Sequence, residues 1–449
     1  MEALKERQWF ESLVTAWLFV FAAALFSAVN IADPDLFGHL TFGKIALANC
    51  RLPSRDIFSY TASGLSWINH EWLAEVVFWA VYSVFSEIGL ILFKVCLGTI
   101  YCAFLLKIIK TSNLTVTVFV FLFILFISVS FWMFRPQIFT FVFFAALVWL
   151  LKEEKLIHIP VIFILWPNFH GGFVAGIALL LLYVMFSKNV RKTALILILS
   201  VFATLINPYG IKLHFAILRA FFNPYTRLII EDWQPFLLFY ANPIISITVF
   251  LIIFYLVWKK FKLSFDWTVS FVFMILTVTS VRHLPLFAIA AAAPLARIMS
   301  DKFDKLNTKI ATTTIVAVAT LTAFSYSSNF TIKVDQNKFP VYAVDFIKSR
   351  NLKGNLFCEF NWGQYLIMRL HPGMKVSIDG RYDTVYPIPF IKEQFDLTQF
   401  GIGELPKDSD YAILYADSPL AARLSESQDF LILYKDTVAV IFEKRKKND

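Results

Sequence analysis

The chain has 449 residues, 58% of them hydrophobic and 16% charged, with 50 phenylalanines and a mean hydropathy of +0.66. Those proportions exclude a soluble globular protein. The net charge of +9 sits mostly in short connections between apolar runs, the mark of a positive-inside membrane protein, and no nucleic-acid partner is expected.

Apolar runs able to cross a hydrocarbon core, about 20 residues each, recur from Leu13 to about Phe324. The head, MEALKERQWFE, mixes acids with bases ahead of the run 13–32. That run is too long for the apolar stretch of a signal peptide and many others follow, so it is read as a first span with a cytoplasmic N-terminus. It delivers Asn30-Ile-Ala-Asp33-Pro-Asp35-Leu-Phe-Gly-His39 to the outer face, where 33–70 forms an extracytoplasmic loop.

The run 71–86 either crosses the membrane or lies along its surface, and charge decides between the two. If it crosses, the links Lys107/Lys110, Lys188/Arg191/Lys192 and Lys259/Lys260/Lys262 all fall outside; if it lies flat, they all fall inside, with Lys152/Lys155 and the run from Arg297 to Lys309. The second reading fits every link, and Glu71, Glu75, Tyr82 and Ser86 form one polar stripe at helical spacing, so 71–86 is expected as a juxtamembrane helix. The remaining spans are then 88–109, 115–133, 138–151, 157–166, 173–186, 194–206, 244–258, 267–281, 284–298 and 310–324. With the first they make about eleven.

The expected architecture is an all-α polytopic membrane domain, 1–329, followed by a small extracytoplasmic α/β domain, 330–449. The tail alternates short apolar runs (355–359, 375–379, 410–415, 430–434, 438–443) with amphipathic stretches at 341–349 and 418–425. The four cysteines, Cys50, Cys96, Cys102 and Cys358, have neither metal nor disulfide spacing.

Under this topology the outer turns carry the chemistry. They hold Arg135-Pro-Gln137, Asn168-Phe-His170-Gly-Gly172, Asn207-Pro-Tyr-Gly210, the loop with Arg219, Arg227, Glu231, Asp232 and Trp233, and Arg282-His283. Asp33, Asp35, His39, His70 and Glu71 open on the same side. Six of the seven histidines, all but His158, lie on this face or in the tail. Ionisable groups at membrane depth usually line a cavity. A carboxylate there can take a proton from a nucleophile, while cations hold a leaving phosphate.

Structural roles compete at each position. Asp35, or less readily Asp33, can cap a helix starting near Leu36, a role that does not exclude proton transfer. Asp33, Asp35, His39 and His70 offer ligand types for a divalent metal, at generic spacing. The Asn168–Gly172 and Asn207–Gly210 stretches suit tight turns, Arg135 can snorkel to headgroups, and Asp379-Gly380-Arg381 can be an ordinary turn after a strand.

Taken together, Asp33-Pro-Asp35-Leu-Phe-Gly-His39, Asn69-His70-Glu71-Trp72-Leu73, Arg135-Pro136-Gln137, Asn168-Phe-His170-Gly-Gly172, Asn207-Pro-Tyr-Gly210 and Asp379-Gly-Arg-Tyr-Asp383 resemble, in order, the motifs of C-type (GT-C) membrane glycosyltransferases, and within them poorly characterised prokaryotic members. The resemblance covers nearly the whole chain. It implies transfer of a sugar from a polyprenyl-phosphate donor to a glycan, lipid or protein acceptor at the outer face of the cell membrane. By that likeness Asp33 or Asp35 is the general base, and Arg135, Arg282 and His283 are candidates for the lipid phosphate; His39 or His70 is expected to tune or orient the base, and His70, Glu71, Gln137, Asn168 and His170 complete the expected substrate-binding set. His70-Glu71-Trp72-Leu73 stands where better-known members carry a proline-containing His-Pro-Pro-Leu-like motif. The rival readings are a transporter or flippase of lipid-linked sugars, in which halves often repeat although none repeat here, and a non-catalytic envelope assembly protein.

Overall fold

A computed structural model of the chain describes residues 2–223, 230–236, 263–300, 312–313, 316–317, 320 and 331–445. The expected span 244–258, nearly all of 310–324, and Arg227 lie outside them. The chain forms two compact units. One comprises Met1–Asn30, Phe85–Gly210 and Ile230–Thr331; the other comprises Ile31–Val84, Ile211–Ile229 and Ile332–Asp449. The tail shares the second unit with the first loop and the start of the helix that follows it.

The first unit is helical among its described residues. It contains the whole of α1 (Glu2–Ala28) and the distal part of α3 (Trp72–Ile109). Then come α4 (Leu114–Ser128), α5 (Gln137–Lys152), α6 (Ile159–Phe169), α7 (Phe173–Phe186), α8 (Val190–Ala203), α10 (Phe265–Thr279) and α11 (Leu284–Ser300). Asn113 and Asn189 start α4 and α8 by accepting from Val116 N and Lys192 N, the expected chemistry of a helix N-terminus. α11, the most buried, packs on α4 and α10, where Ser270 Oγ donates to the Ala290 carbonyl 2.9 Å away. By length and hydropathy Gln8–Ala28, Trp72–Ile109, Leu114–Phe131 and Val281–Ser300 can each span a bilayer, with shorter apolar helices beside them. The chain is a multi-pass membrane protein.

α3 has 38 residues, and a straight helix of that length would run about 57 Å, nearly twice the hydrocarbon thickness. It is broken at Ser86, whose φ of 54° and ψ of −148° are not helical. Lys94, beyond the break, is fully buried; its ammonium donates to the Val29 carbonyl at the end of α1 and lies 4.0 Å from the Phe134 ring centre.

The second unit holds α2 (Pro34–Ala48), the proximal turns of α3, α9 (Ile211–Phe222) and the tail. The tail contributes α12 (Val341–Ser349), α13 (Gly363–Leu370), α14 (Ile388–Phe400), α15 (Pro419–Glu426) and five strands. These are β1 (Gly354–Cys358), β2 (Met374–Val376), β3 (Tyr411–Tyr415), β4 (Phe430–Lys435) and β5 (Ala439–Lys444). The sheet order is β2-β1-β3-β5-β4, with β1 parallel to β2 and β3, and β5 antiparallel to β3 and β4. One face buries Phe357, Leu414, Val440 and Phe442 under Leu397, Leu420 and Leu424 of α14 and α15.

The first loop is stitched to this sheet. Tyr60 N donates to the Val376 carbonyl and Val376 N to the Phe58 carbonyl, so the loop extends the β2 edge. An edge with unpaired backbone groups invites such pairing. α13 packs along α2, and α9 packs on the turn Tyr382–Thr384. α9 exposes Ile211, Phe215, Leu218 and Phe222, one apolar stripe at i, i+4, i+7 and i+11.

Candidate active site

Asp33, Asp35, His39, His70 and Glu71 all belong to the second unit. Asp33 is the N-cap of α2, and one carboxylate oxygen accepts from Asp35 N at 2.9 Å. Pro34 takes the first helical position, where its fixed φ suits a helix and its missing N–H is no loss. The helix therefore starts two residues earlier than expected, and the cap is Asp33 instead of Asp35. Asp33 is buried, while Asp35 is partly exposed.

Asp35 faces the tail. A Cβ placed on Gly380 would stand 2.6 Å from Asp35 Oδ1 and 2.6 Å from Gln364 Nε2, so a side chain there would push these two side-chain ends aside. The first acidic motif and the Asp379-Gly380-Arg381 turn, more than 340 residues apart in sequence, are thus in contact.

One helical turn beyond Asp35, His39 is buried, and its Nδ1 lies 3.2 Å from Glu75 Oε1. The other Glu75 oxygen accepts from Asn69 Nδ2 at 2.5 Å. Burial favours neutral imidazole, but the Glu75 hydrogen bond and the charges of Glu71, Glu75 and Asp35 outweigh it, so His39 is pushed up to about 9. Gly43, a turn further on, sits against the Glu75 carbonyl oxygen, where a side chain would overlap backbone.

His70 Nε2 lies 3.7 Å from Glu71 Oε1, and both are partly exposed. Among the described residues the ligand atoms of His39, Glu71 and Glu75 lie within 4.8 Å of one another, a donor set that suits a divalent ion. Asp33 and Asp35 are not part of that set. The hydrogen bonds of Glu75 to His39 and Asn69 satisfy much of the cluster by themselves.

The Asp379-Gly380-Arg381 turn is a buried charge network. Arg381 Nε and Nη2 reach Asp379 Oδ1 and Oδ2 at 2.8 and 2.7 Å, and Nη1 lies 2.6 Å from Asp56 Oδ1. Tyr386 Oη donates to Asp379 Oδ2 at 2.6 Å. Burial alone would raise Asp379, but the Arg381 charge and these bonds hold it below the usual carboxylate range. The guanidinium lies 4.9 Å from the Phe58 and Trp67 rings and 5.3 Å from Phe42. The network ties the first loop to the tail beneath Asp35.

The other expected site residues are in the first unit. Arg135 Nη1 pairs with Asp232 Oδ2 at 2.7 Å, and the Arg282 guanidinium lies 4.3 Å from the Trp233 ring. Two cations far apart in sequence therefore meet neighbouring residues of one turn. His283 Nδ1 lies 3.2 Å from the Ser280 carbonyl. Gln137 donates to the Phe131 carbonyl at 3.2 Å, and Asn168 to those of Ile164 and Ile206. His170 Nδ1 lies 2.8 Å from Thr140 Oγ1 and accepts from Gly172 N. Gln137, Asn168 and His170 thus make local bonds that shape interhelical turns.

Sequence reading passed over Asp56, Gln364 and Lys94. Glu75 was visible on the stripe it shares with Glu71, but its pairing with His39 was not.

The fold is similar to that of two solved proteins, an oligosaccharyltransferase and ArnT. It is similar to the oligosaccharyltransferase of Archaeoglobus fulgidus, in its apo form, at 10% identity and a TM-score of 0.59, over 90% of this chain and 70% of that one. It is also similar to ArnT from Cupriavidus metallidurans bound to undecaprenyl phosphate, at 12% identity and a TM-score of 0.53, over 96% and 97% of the two chains. The apo state of that ArnT gives 10% identity and the same TM-score over 98% of each chain. No family profile and no curated protein sequence matches the chain.

Proposed function

We propose that the protein is a membrane glycosyltransferase that moves a sugar from a polyprenyl-phosphate donor to an acceptor hydroxyl at the outer face. The observation that carries the reading is Asp35, a partly exposed carboxylate at the first turn of α2, held against Gly380 while its neighbour Asp33 serves as the cap. The undecaprenyl phosphate bound by the structurally similar ArnT supports a donor of that lipid class.

In this reading the N-terminus is cytoplasmic, 71–86 lies along the membrane and the tail is extracytoplasmic. Asp35 is the general base. His39, held by Glu75, stabilises the Asp35 carboxylate one helical turn away. The proton leaves the acceptor hydroxyl for Asp35 as the new glycosidic bond forms and the bond from sugar to phosphate breaks. Arg135, Arg282 and His283 bind the departing phosphate, whose charge grows as that bond lengthens. His70 and Glu71 border the acceptor; Gln137, Asn168 and His170 shape the turns that carry the phosphate ligands. His39 in its neutral form, with Glu71 and Glu75, would hold a divalent ion in place of the imidazole proton.

The test is release of polyprenyl phosphate from a panel of polyprenyl-phosphate sugars by purified protein. Release by wild type that falls 100-fold or more in Asp35→Asn supports the reading. Donor binding with no release from any member of the panel would replace it with transport or assembly.

A further inference from the structure

Asp383 lies three residues past Gly380, on the turn Tyr382–Thr384 against which α9 packs. It is 8% exposed, and its Oδ2 is fully buried and makes no hydrogen bond, although the Asn223 side chain is placed to donate to the carboxyl group. Asn223 at the end of α9 faces the carboxyl group, and the charges of Arg219 and His70 act on it. Burial outweighs these neighbours, so the acid is raised above its ordinary range.

A buried carboxylate oxygen without a donor is costly, and folded proteins retain few of them. Arg219 and His70 stand nearby and neither satisfies this atom. A phosphate would bring a second anion against the carboxylate, and a metal ion would be repelled by Arg219. A hydroxyl fits both halves of the arrangement: its proton meets Oδ2, and its lone pairs accept from Arg219, Asn223 or His70. Adjacent hydroxyls on a sugar ring present that pattern twice.

We propose that Asp383, with Asn223, Arg219 and His70, forms a subsite that binds the hydroxyls of a sugar ring. The inference rests on the transferase reading, because the sugar belongs to either the donor or the acceptor. Gly380, three residues before Asp383, meets Asp35, so the subsite lies close to the base in the chain.

The experiment compares the wild-type full chain with Asp383→Ala and Asp383→Asn in detergent. Each is titrated with undecaprenyl phosphate, with undecaprenyl-phosphate hexoses and pentoses, and with methyl glycosides, and acceptor KM is measured wherever transfer occurs. If the donor sugar fills the subsite, the variants bind undecaprenyl phosphate like wild type but lose at least tenfold for the sugar-bearing lipid. If the acceptor fills it, both lipids bind normally and acceptor KM rises at least tenfold with kcat little changed. In either case Asp383→Asn melts at or above the wild-type temperature, since a stranded carboxylate has been removed; a purely structural Asp383 would melt lower. Unchanged affinities and KM in both variants, or a clear fall in melting temperature, overturn the subsite. A wild type that transfers nothing yet binds methyl glycosides through Asp383 overturns the transferase reading and leaves the subsite standing. A wild type that binds no sugar in any form overturns both.

Discussion

Replacing Arg381 with Met would remove the cation from a buried cluster that holds two carboxylates. Arg381, Asp56 and Asp379 side chains are 3%, 0% and 0% exposed, so no water is at hand to take the guanidinium's place. Asp379 would keep its bonds from Tyr386 Oη and from the backbone N of residue 381, and Asp56 its bonds from Phe58 N, Ser59 N and Ser59 Oγ. Removing one member of a buried ion pair costs about 3–5 kcal/mol. Some of the ring contacts, worth about 0.5–2 kcal/mol each, would be lost as well. At about 2–4 °C per kcal/mol, the unit carrying the site should melt about 10 °C or more below wild type at pH 7. Trp67 reports the change directly, because its ring lies 4.9 Å from the guanidinium. The sign with pH follows from Asp379, whose folded pKa is depressed by Arg381. Its stabilisation is present above the ordinary aspartate range and is lost as pH falls through the folded value. The gap between wild type and Arg381→Met should therefore narrow in acid. A gap below about 1 kcal/mol at pH 7, or one that stays constant down to pH 3, would refute the network as a stabilising device; double-mutant values for exposed pairs are of that size.

Three further outcomes are expected. Asp33→Asn preserves the cap and most activity, Asp33→Ala costs about 1 kcal/mol of stability, and Asp35→Asn lowers turnover by about 10²–10⁴-fold with little change in melting; equal losses in Asp33→Asn and Asp35→Asn would defeat that division of roles. Gly380→Ala places a methyl group 2.6 Å from Asp35 Oδ1 and should lower activity at least tenfold per folded molecule, so full activity in that variant would show that this contact does not position Asp35. Glu359, at the end of β1, is 4% exposed and pushed up to about 7, mainly by burial. Its stability contribution is complete below about pH 4.5 and is lost as pH rises through 7, so Glu359→Gln should gain at most about 3 kcal/mol at pH 8 and almost nothing at pH 4 in thermal melts.

The sequence by itself determined most of what depends on local pattern. Long apolar runs marked the membrane helices, because spanning a bilayer needs length and hydropathy whatever the neighbours are. The polar stripe through Glu71 and Glu75 stopped at Ser86, where α3 breaks. Period-two and period-3.6 patterning in the tail fell close to β1 through β5, α12 and α15. Helix α9 was missed although Ile211, Phe215, Leu218 and Phe222 recur at helical spacing, because Lys212, His214 and Arg219 between them make the stretch too polar to stand out as a span.

Tertiary structure alone decided which distant residues meet. Both acids of Asp33-Pro-Asp35 are good N-cap residues, and only the preference of Pro34 for the first helical position favours Asp33. The choice follows from the backbone at Asp33, extended at φ −85° and ψ 146°, with Pro34 in the first helical position. The contact of Asp35 with Gly380, the His39 bond to Glu75 and the ion pair of Arg381 with Asp56 join segments that the chain separates by 36 to more than 300 residues. Local propensity carries no information about such pairings. They are fixed by the buried charges' need for partners once the first loop is laid along the edge of the sheet.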